Sequence, residues 1–215
     1  MGVIVDNLPL YLEGFGATLY LLLLTTVLAL PVGIVVAAMR ISPIPSLRTV
    51  GAVYTELLRN TPLTLVFFFE AVVLPRLGVQ LDFRVGAVFA LTLYTAPFFA
   101  EAIRSGINSV PVGQAEAARS VGLTFGQTVA LVVLPQALRS VIPPLVNVII
   151  ALTKNTSVAT GFFVFTLISA GQRLANANGD QVIAVLLGVA AFYLLITVPL
   201  GQFADRFEKK VAVAR

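Results

Sequence analysis

The chain has 215 residues, of which 58% are hydrophobic and only 11% are charged. A soluble domain of average composition is about 45–50% apolar and about 25% charged, so this chain has too few polar groups to cover a surface that faces water. Its net charge of +4 comes from scattered basic residues without the stripe that nucleic-acid binding requires. The absence of His and Cys excludes catalysis, metal binding and disulfides that depend on them. The composition predicts a membrane protein that binds no nucleic acid.

Five apolar segments are long enough to cross a bilayer, since a spanning helix needs about 20 mostly apolar residues. They lie at about residues 15–39, 52–74, 85–103, 129–152 and 182–204. A further apolar segment, 158–170, has only about 13 residues, which is typical of a re-entrant or buried piece. The first charges are acidic, so the first span is interpreted as a retained helix and not as a cleaved signal. The predicted fold is an all-α bundle of five spans in a single transmembrane domain, residues 1–215.

The basic residues indicate how this bundle is oriented. With the N-terminus outside, nine fall on the cytoplasmic side: Arg40, Arg48, Arg104, Arg119, Arg139, Arg206, Lys209, Lys210 and Arg215. Three fall on the outer side: Arg76, Arg84 and Arg173. Lys and Arg concentrate in the cytoplasmic loops of membrane proteins. The sequence therefore predicts an external N-terminus and a cytoplasmic C-terminus.

The connection between the third and fourth spans, residues 105–126, is called the coupling segment below. Pro111 suits the first turn of a helix, the residues from Gln114 to Arg119 favour helix, and Gly122 can adopt the left-handed conformation that ends one. We expect a helix of about ten residues outside the bilayer. Its shape alone is equally compatible with a loop helix that has no partner.

A spaced motif runs through the same residues. Glu116-Ala117-Ala118 is followed by three residues, Gly122, nine residues and then Val132-Val133-Leu134-Pro135. This pattern resembles the cytoplasmic signature of permease subunits of ABC importers, which reads Glu-Ala-Ala, three residues, Gly, nine residues, a branched apolar residue, any residue and Leu-Pro. Every fixed position matches, apart from an exchange of Val for Ile.

Further segments are similar to the polar amino acid branch of these permeases, with glutamate importers closest in appearance. They are TELLRNTPL (55–63), Glu101–Ile107, Pro143–Asn147 and Lys154–Ser157. The resemblance covers residues 14–205 and implies a type I ABC importer permease fold in a bacterial inner or plasma membrane. It also implies import of a polar amino acid, glutamate or aspartate, by alternating access. Glutamine or another polar amino acid is the alternative substrate.

The resemblance further implies a set of partners. They are a second permease subunit (a homologous sister chain or a second copy), two cytoplasmic ATP-binding subunits and an extracellular amino-acid-binding protein. The chain has no Gly-Lys pair and therefore no P-loop, so no cofactor is expected in this subunit and ATP with Mg²⁺ is expected on the ATPase. The chain itself is expected to be a transport subunit and not an enzyme. The residues that this family would use for ATPase coupling are Gln114, Glu116, Ala117, Ala118, Arg119 and Gly122.

Insertion of a charged side chain at the centre of a membrane helix costs about 2.5–3.5 kcal/mol of free energy, so such residues usually face a bundle interior or an aqueous cavity. Glu56 and Arg59 share a helix face and could pair, either as a structural ion pair or within a substrate site. Thr61 and Pro62 could break that helix. The resemblance implies that the substrate contacts Glu56, Arg59, Thr61, Lys154, Asn155 and Ser157. Glu101 and Arg104 are interpreted as an ion pair that anchors the third span.

Other interpretations of Lys154 remain open. It could be an interfacial lysine that extends to water. It could also form a nucleophile–base pair with Ser157, which would make the protein an intramembrane hydrolase. A passive channel is a further alternative. Arginine-type permeases of the family carry an acid directly after this lysine, where the chain has neutral Asn155, and this difference favours an acidic substrate. No metal site is expected.

Overall fold

The computed structural model describes residues 2–213, which form a helical protein without strands in that range. The helices are α1 (Gly2–Asp6), α2 (Leu8–Ile41), α3 (Pro45–Arg59), α4 (Leu63–Arg76), α5 (Phe83–Asn108), α6 (Val112–Ser120), α7 (Phe125–Phe162), α8 (Leu167–Ala177) and α9 (Val182–Val213). Within α4 and α7 lie the π-helical turns Phe69–Val73 and Thr128–Val133, and α7 ends in a 3₁₀ turn, Thr156–Phe162. The all-α prediction is confirmed. Arg215, which was counted on the cytoplasmic side, lies outside the described residues.

Four helices are long and apolar enough to cross a membrane: α2, α5, α7 and α9. The pair α3 and α4 provides a fifth span if it is counted as one bent element, with an angle of 100° between its halves. The first span begins at Leu8 and not near residue 15, because the apolar helix continues past Glu13. The prediction of five spans is therefore consistent with the structure, although their bounds differ.

The second predicted span, 52–74, is divided in the structure, and the break that Thr61 and Pro62 indicated is present. Helix α3 ends at Arg59, and Pro62 has an extended conformation (φ −60°, ψ 136°) before α4 begins at Leu63. Proline has no N–H to donate and disfavours helical geometry in the residue before it, so α3 cannot continue through Thr61 and Pro62. The carbonyl of Glu56 accepts from Asn60 twice at this end, from its side-chain amide at 2.8 Å and from its backbone N–H at 3.2 Å.

The fourth span is longer than predicted, because a capping box starts α7 ahead of the apolar run. The N–H of Thr124 donates to Oε1 of Gln127 at 2.9 Å, and the N–H of Gln127 donates to Oγ1 of Thr124. At the other end, Phe163 adopts a left-handed conformation (φ 63°) that separates the 3₁₀ turn from α8. The short apolar segment 158–170 does not form a span of its own, as predicted, and it is partly buried: Ala159 and Leu167 are fully inaccessible, whereas Phe163 is 83% exposed.

Helix α5 is the centre of the bundle, with α2 on one side and α7 on the other. Small residues allow the close approach that membrane helices use in packing. A Cβ atom on Gly33 of α2 would lie 2.6 Å from the Cβ of Phe99, and one on Gly106 would lie 2.2 Å from Cγ2 of Val141 in α7. The face that α5 presents to α7, and the C-terminal end of α5, carry the polar groups described next.

Candidate functional site

Helix α6 lies in the coupling segment and ends in a Schellman motif, in which a left-handed residue satisfies the last carbonyls of a helix. Gly122 has φ 91°, and its N–H donates to the carbonyl of Arg119 at 3.0 Å. The N–H of Leu123 donates to the carbonyl of Ala118 at 3.2 Å. Pro111 stands just before the helix in an extended conformation, and not in its first turn. The predicted short helix ended by Gly122 is confirmed.

One side of α6 packs against the π turn of α7, and Ala118 is the residue that it buries there. The other residues predicted for coupling are exposed: Gln114, Glu116, Ala117, Arg119 and Gly122. Three large apolar side chains beside them are also exposed, Val112 by 73%, Val121 by 80% and Phe125 by 76%. Apolar side chains that stand among charged ones on a projecting helix form a surface of the kind that a protein partner covers.

An ion cluster lies near the C-terminal end of α5, on the side of the bundle where α6 follows, and is centred on Glu101. Its Oε2 accepts from Nη1 of Arg40 at 2.6 Å, and its Oε1 accepts from Arg104. Nη1 of Arg59 lies 3.7 Å from the same Oε2. The predicted pair of Glu101 with Arg104 is present, and it belongs to a cluster that joins α2, α3 and α5. The predicted alternative, a pair between Glu56 and Arg59, is wrong: Glu56 is exposed, while Arg59 points to Glu101.

A cavity of about 400 Å³ lies between α5 and α7. Its walls carry polar and aromatic side chains together with aliphatic ones: Tyr94, Thr95, Phe98, Asn147, Val148, Ala151, Leu152 and Asn155. The guanidinium carbon of Arg59 lies 5.6 Å from the centroid of the Phe98 ring. The ion cluster is therefore separated from the cavity by a single aromatic side chain.

The hydroxyl of Thr95 is the most informative polar group in this wall. The residue is only 2% exposed, and its Oγ1 has no hydrogen-bond partner among the described residues. A buried hydroxyl without a partner costs about 1–3 kcal/mol, and each such group calls for an explanation. The Thr95 oxygen is enclosed by protein, so a polar ligand in the cavity can reach it only after a side chain of the wall moves. The buried hydroxyls of Thr25, Thr92, Thr128 and Tyr193 also have no partner among the described residues.

The residues predicted to bind substrate are distributed unevenly around this cavity. Asn155 lines it, and Arg59 approaches it behind Phe98. Thr61 donates its hydroxyl to the carbonyl of Leu57 at 2.7 Å. Neither Thr61 nor the exposed Glu56 is part of the wall, and the same holds for Lys154 and Ser157. The sequence interpretation missed Tyr94 and Thr95, whose one signal was their polarity within an apolar span.

The geometry does not support a Ser-Lys hydrolase. The hydroxyl of Ser157 donates to the backbone carbonyl of Lys154 at 2.6 Å, and Lys154 is exposed. The serine proton is thus held by a backbone carbonyl one turn earlier, as is common at helix ends, and not by an amine. Over the described part of the chain, no group of three His, Cys, Asp or Glu side chains is placed to hold a metal ion.

Residues 29–213 match the family described as "Binding-protein-dependent transport system inner membrane component". The chain belongs to this family. Its resemblance to permease subunits of ABC importers is thereby confirmed, and it is a multi-pass membrane subunit of a transport system and not an enzyme.

Relatives agree with this assignment over almost their whole length. The chain is 40% identical to the "Probable glutamine ABC transporter permease protein GlnM" of Bacillus subtilis, over 98% of this chain and 97% of that protein. It is 37% identical to the "Glutamate transport system permease protein GluC" of Corynebacterium glutamicum, over 96% of each. The structure "Crystal structure of an amino acid ABC transporter with histidines" covers 96% of both chains with 28% identity and a TM-score of 0.88. The predicted permease fold is confirmed.

Proposed function

We propose that the chain is one membrane subunit of an ATP-driven importer that carries a polar amino acid, glutamate or aspartate, through the cavity between α5 and α7. Family membership and relatives named as amino acid permeases support the general function. The observation that carries the site is the cavity wall, in which amide and hydroxyl side chains from α5 and α7 lie among aromatic and aliphatic ones. Substrate reaches an alternating-access site of this kind from the outside and leaves it when the cytoplasmic end opens.

The charges of the cavity support this choice of substrate. Its lining contains no carboxylate, and its amides and hydroxyls come from Asn147, Asn155, Thr95 and Tyr94. The ammonium or guanidinium group of a basic amino acid would therefore be desolvated without a partner of opposite charge. A carboxylate can instead accept from the amides and reach the positive ion cluster behind Phe98. Glutamine is the second candidate, because a neutral lining also suits a side-chain amide and because GlnM is named for it.

The partners follow from the transport mechanism. The chain has no P-loop, so ATP and Mg²⁺ bind to separate cytoplasmic ATPase subunits, and the exposed side of α6 is the surface that contacts them. The residues of this contact are Gln114, Glu116, Ala117, Arg119 and Gly122, and Ala118 sets the distance between α6 and α7. A second permease, either a sister chain or a copy of this one, and an extracellular binding protein complete the assembly. The excess of Lys and Arg on one side supports a cytoplasmic α6 and an external N-terminus.

Asn155→Asp in the complete transporter tests the substrate. A carboxylate in the cavity wall repels an acidic substrate, so we expect glutamate uptake into proteoliposomes to fall more than tenfold, which corresponds to about 1.4 kcal/mol. Arginine uptake should fall less or rise. Asn176→Asp is the control, because it adds the same charge on the exposed surface of α8. Equal responses of glutamate and arginine would show that Asn155 does not sense side-chain charge, and uptake without ATP would indicate a passive channel.

A further inference from the structure

Glu101 is shared among more positive groups than it can neutralise. Over residues 2–213, three guanidinium groups approach this carboxylate, which leaves the ion cluster with two unbalanced positive charges. All of its members are at least partly shielded from water, with side-chain exposures of 15% for Arg40, 24% for Glu101 and 32% for Arg104. An excess of positive charge in a shielded position favours a second anionic group.

Arg59 is the member of the cluster that is held least tightly. Its Nη1 lies 3.7 Å from Oε2 of Glu101, beyond hydrogen-bond distance, whereas Arg40 donates to the same oxygen at 2.6 Å. Its side chain is 42% exposed, the largest value in the cluster. It is also the last residue of α3, which the break at Pro62 separates from α4. Arg59 can therefore change partners without moving a membrane span.

The position of Arg59 identifies the other partner. Its guanidinium group stacks on Phe98, whose ring forms part of the cavity wall. A change of rotamer at Phe98 would bring this cation to the cavity without a backbone shift. The group that Arg59 contacts in the structure is a carboxylate, and each proposed substrate carries at least one. Guanidinium–carboxylate contacts become stronger when both hydrogen bonds form, so a ligand carboxylate that takes the full fork competes well with Glu101.

We propose that Glu101 is a positioning residue for substrate binding. It holds Arg59 while the cavity contains no substrate, and it releases Arg59 to a carboxylate of the substrate when one arrives. This proposal rests on the proposed function, since it needs an amino acid in the cavity between α5 and α7.

This exchange of Glu101 for a substrate carboxylate as the partner of Arg59 also has a consequence for transport. Glu101 lies in the last third of α5, and only three residues separate that helix from α6 in the coupling segment. Occupation of the cavity thus changes the ion pairing at the end of the helix that leads to the ATPase contact. The exposed charges of α6 itself take no part in the cluster.

Two variants separate this role from a purely structural one. Glu101→Gln removes the competitor for Arg59, so glutamate should bind more tightly. Arg104→Gln frees an oxygen of Glu101 for Arg59, so glutamate should bind more weakly. Partly exposed ion pairs are weak, so we expect changes in Kd of about 1.4- to fivefold in opposite directions, which correspond to about 0.2–1 kcal/mol. If Glu101 and Arg104 only anchored the bundle, both substitutions would weaken binding.

The measurement is equilibrium binding of radiolabelled glutamate to the assembled permease–ATPase complex without the binding protein. Glu56→Gln is the control, because Glu56 lies on the same helix as Arg59 but is exposed and takes part in none of the ion pairs of the cluster. Glutamine serves as a second ligand: a shift confined to glutamate assigns the exchanged group to its side chain, and a shift for both assigns it to the α-carboxylate.

The outcomes are distinguishable. Opposite shifts support the exchange, while equal signs or unchanged Kd values overturn it and leave the proposed function intact. If Glu101→Gln does not assemble, Glu101→Asp takes its place, because the shorter carboxylate reaches Arg59 less well. Tighter glutamate binding by that variant supports the exchange, and an unchanged or higher Kd overturns it. Wild-type protein that binds neither glutamate nor glutamine would overturn the substrate class and this proposal with it.

Discussion

Gly122→Val tests whether the turn after α6 transmits force between the permease and the ATPase. A Cβ atom at this position would meet nothing within 4 Å, so the substitution introduces no clash and acts only through the backbone. The φ of 91° is unfavourable for an L residue and especially for a β-branched one. Strain of this kind costs about 1–3 kcal/mol. The intact Schellman turn should therefore become about 5- to 150-fold less populated relative to its unwound form.

The assay is substrate-stimulated ATP hydrolysis by the complete transporter in proteoliposomes. We expect stimulation to fall by about fivefold or more while the subunits still assemble, because the buried bundle is not altered. Gly113→Val is the matched control: it lies on the same helix, also has open space around it, and does not have a positive φ. Stimulation of Gly122→Val at the level of this control would refute the assignment of the turn to coupling.

Two further predictions concern the fold. Gly33→Ala should lower the Tm of the purified complex, because the new Cβ would lie 2.6 Å from that of Phe99 and overpacking of a core costs about 1–3 kcal/mol. Gly16→Ala on the same helix is the control and should leave the Tm unchanged, because its Cβ would meet nothing within 4 Å. Equal Tm values for the two variants would contradict the close approach of α2 and α5. In intact cells, an impermeant thiol reagent should label Gly179→Cys but not Ser120→Cys. The chain has no native cysteine that would react in the background, and labelling of Ser120→Cys from outside would contradict the proposed orientation.

Features set by neighbouring residues could be predicted from the sequence. The coupling segment is the clearest example, since helix formers before Gly122 and a left-handed glycine after them suffice to define α6. Helix bounds were less accurate, because hydropathy marks where a helix can meet lipid and not where its hydrogen bonds end. Helix α7 starts at a polar capping box, outside the apolar run that predicted it.

The partner of Arg59 could not be predicted, since it depends on tertiary packing. A local pair with Glu56 satisfies the helix-spacing rule, but on an exposed face it is worth only about 0.2–0.5 kcal/mol. Glu101 lies on another helix and is partly shielded, so it attracts Arg59 more strongly. The cavity raised the same difficulty: Thr95 and Asn155 belong to different spans, and only the packing of α5 on α7 brings them to one wall.

The π turn at Thr128–Val133 has a geometric consequence for the two parts of α7. A π turn takes more residues per turn than an α-helix, so it accommodates a surplus residue without changing the phase of the regular helix on either side. If the turn tightened to α geometry with the same residues, the part that begins at Phe125 would rotate by about 100° and advance by about 1.5 Å relative to the part that carries Asn155. The hydrogen bonds of this one π turn thus fix the rotation and the axial position of the end next to α6 relative to the wall of the cavity.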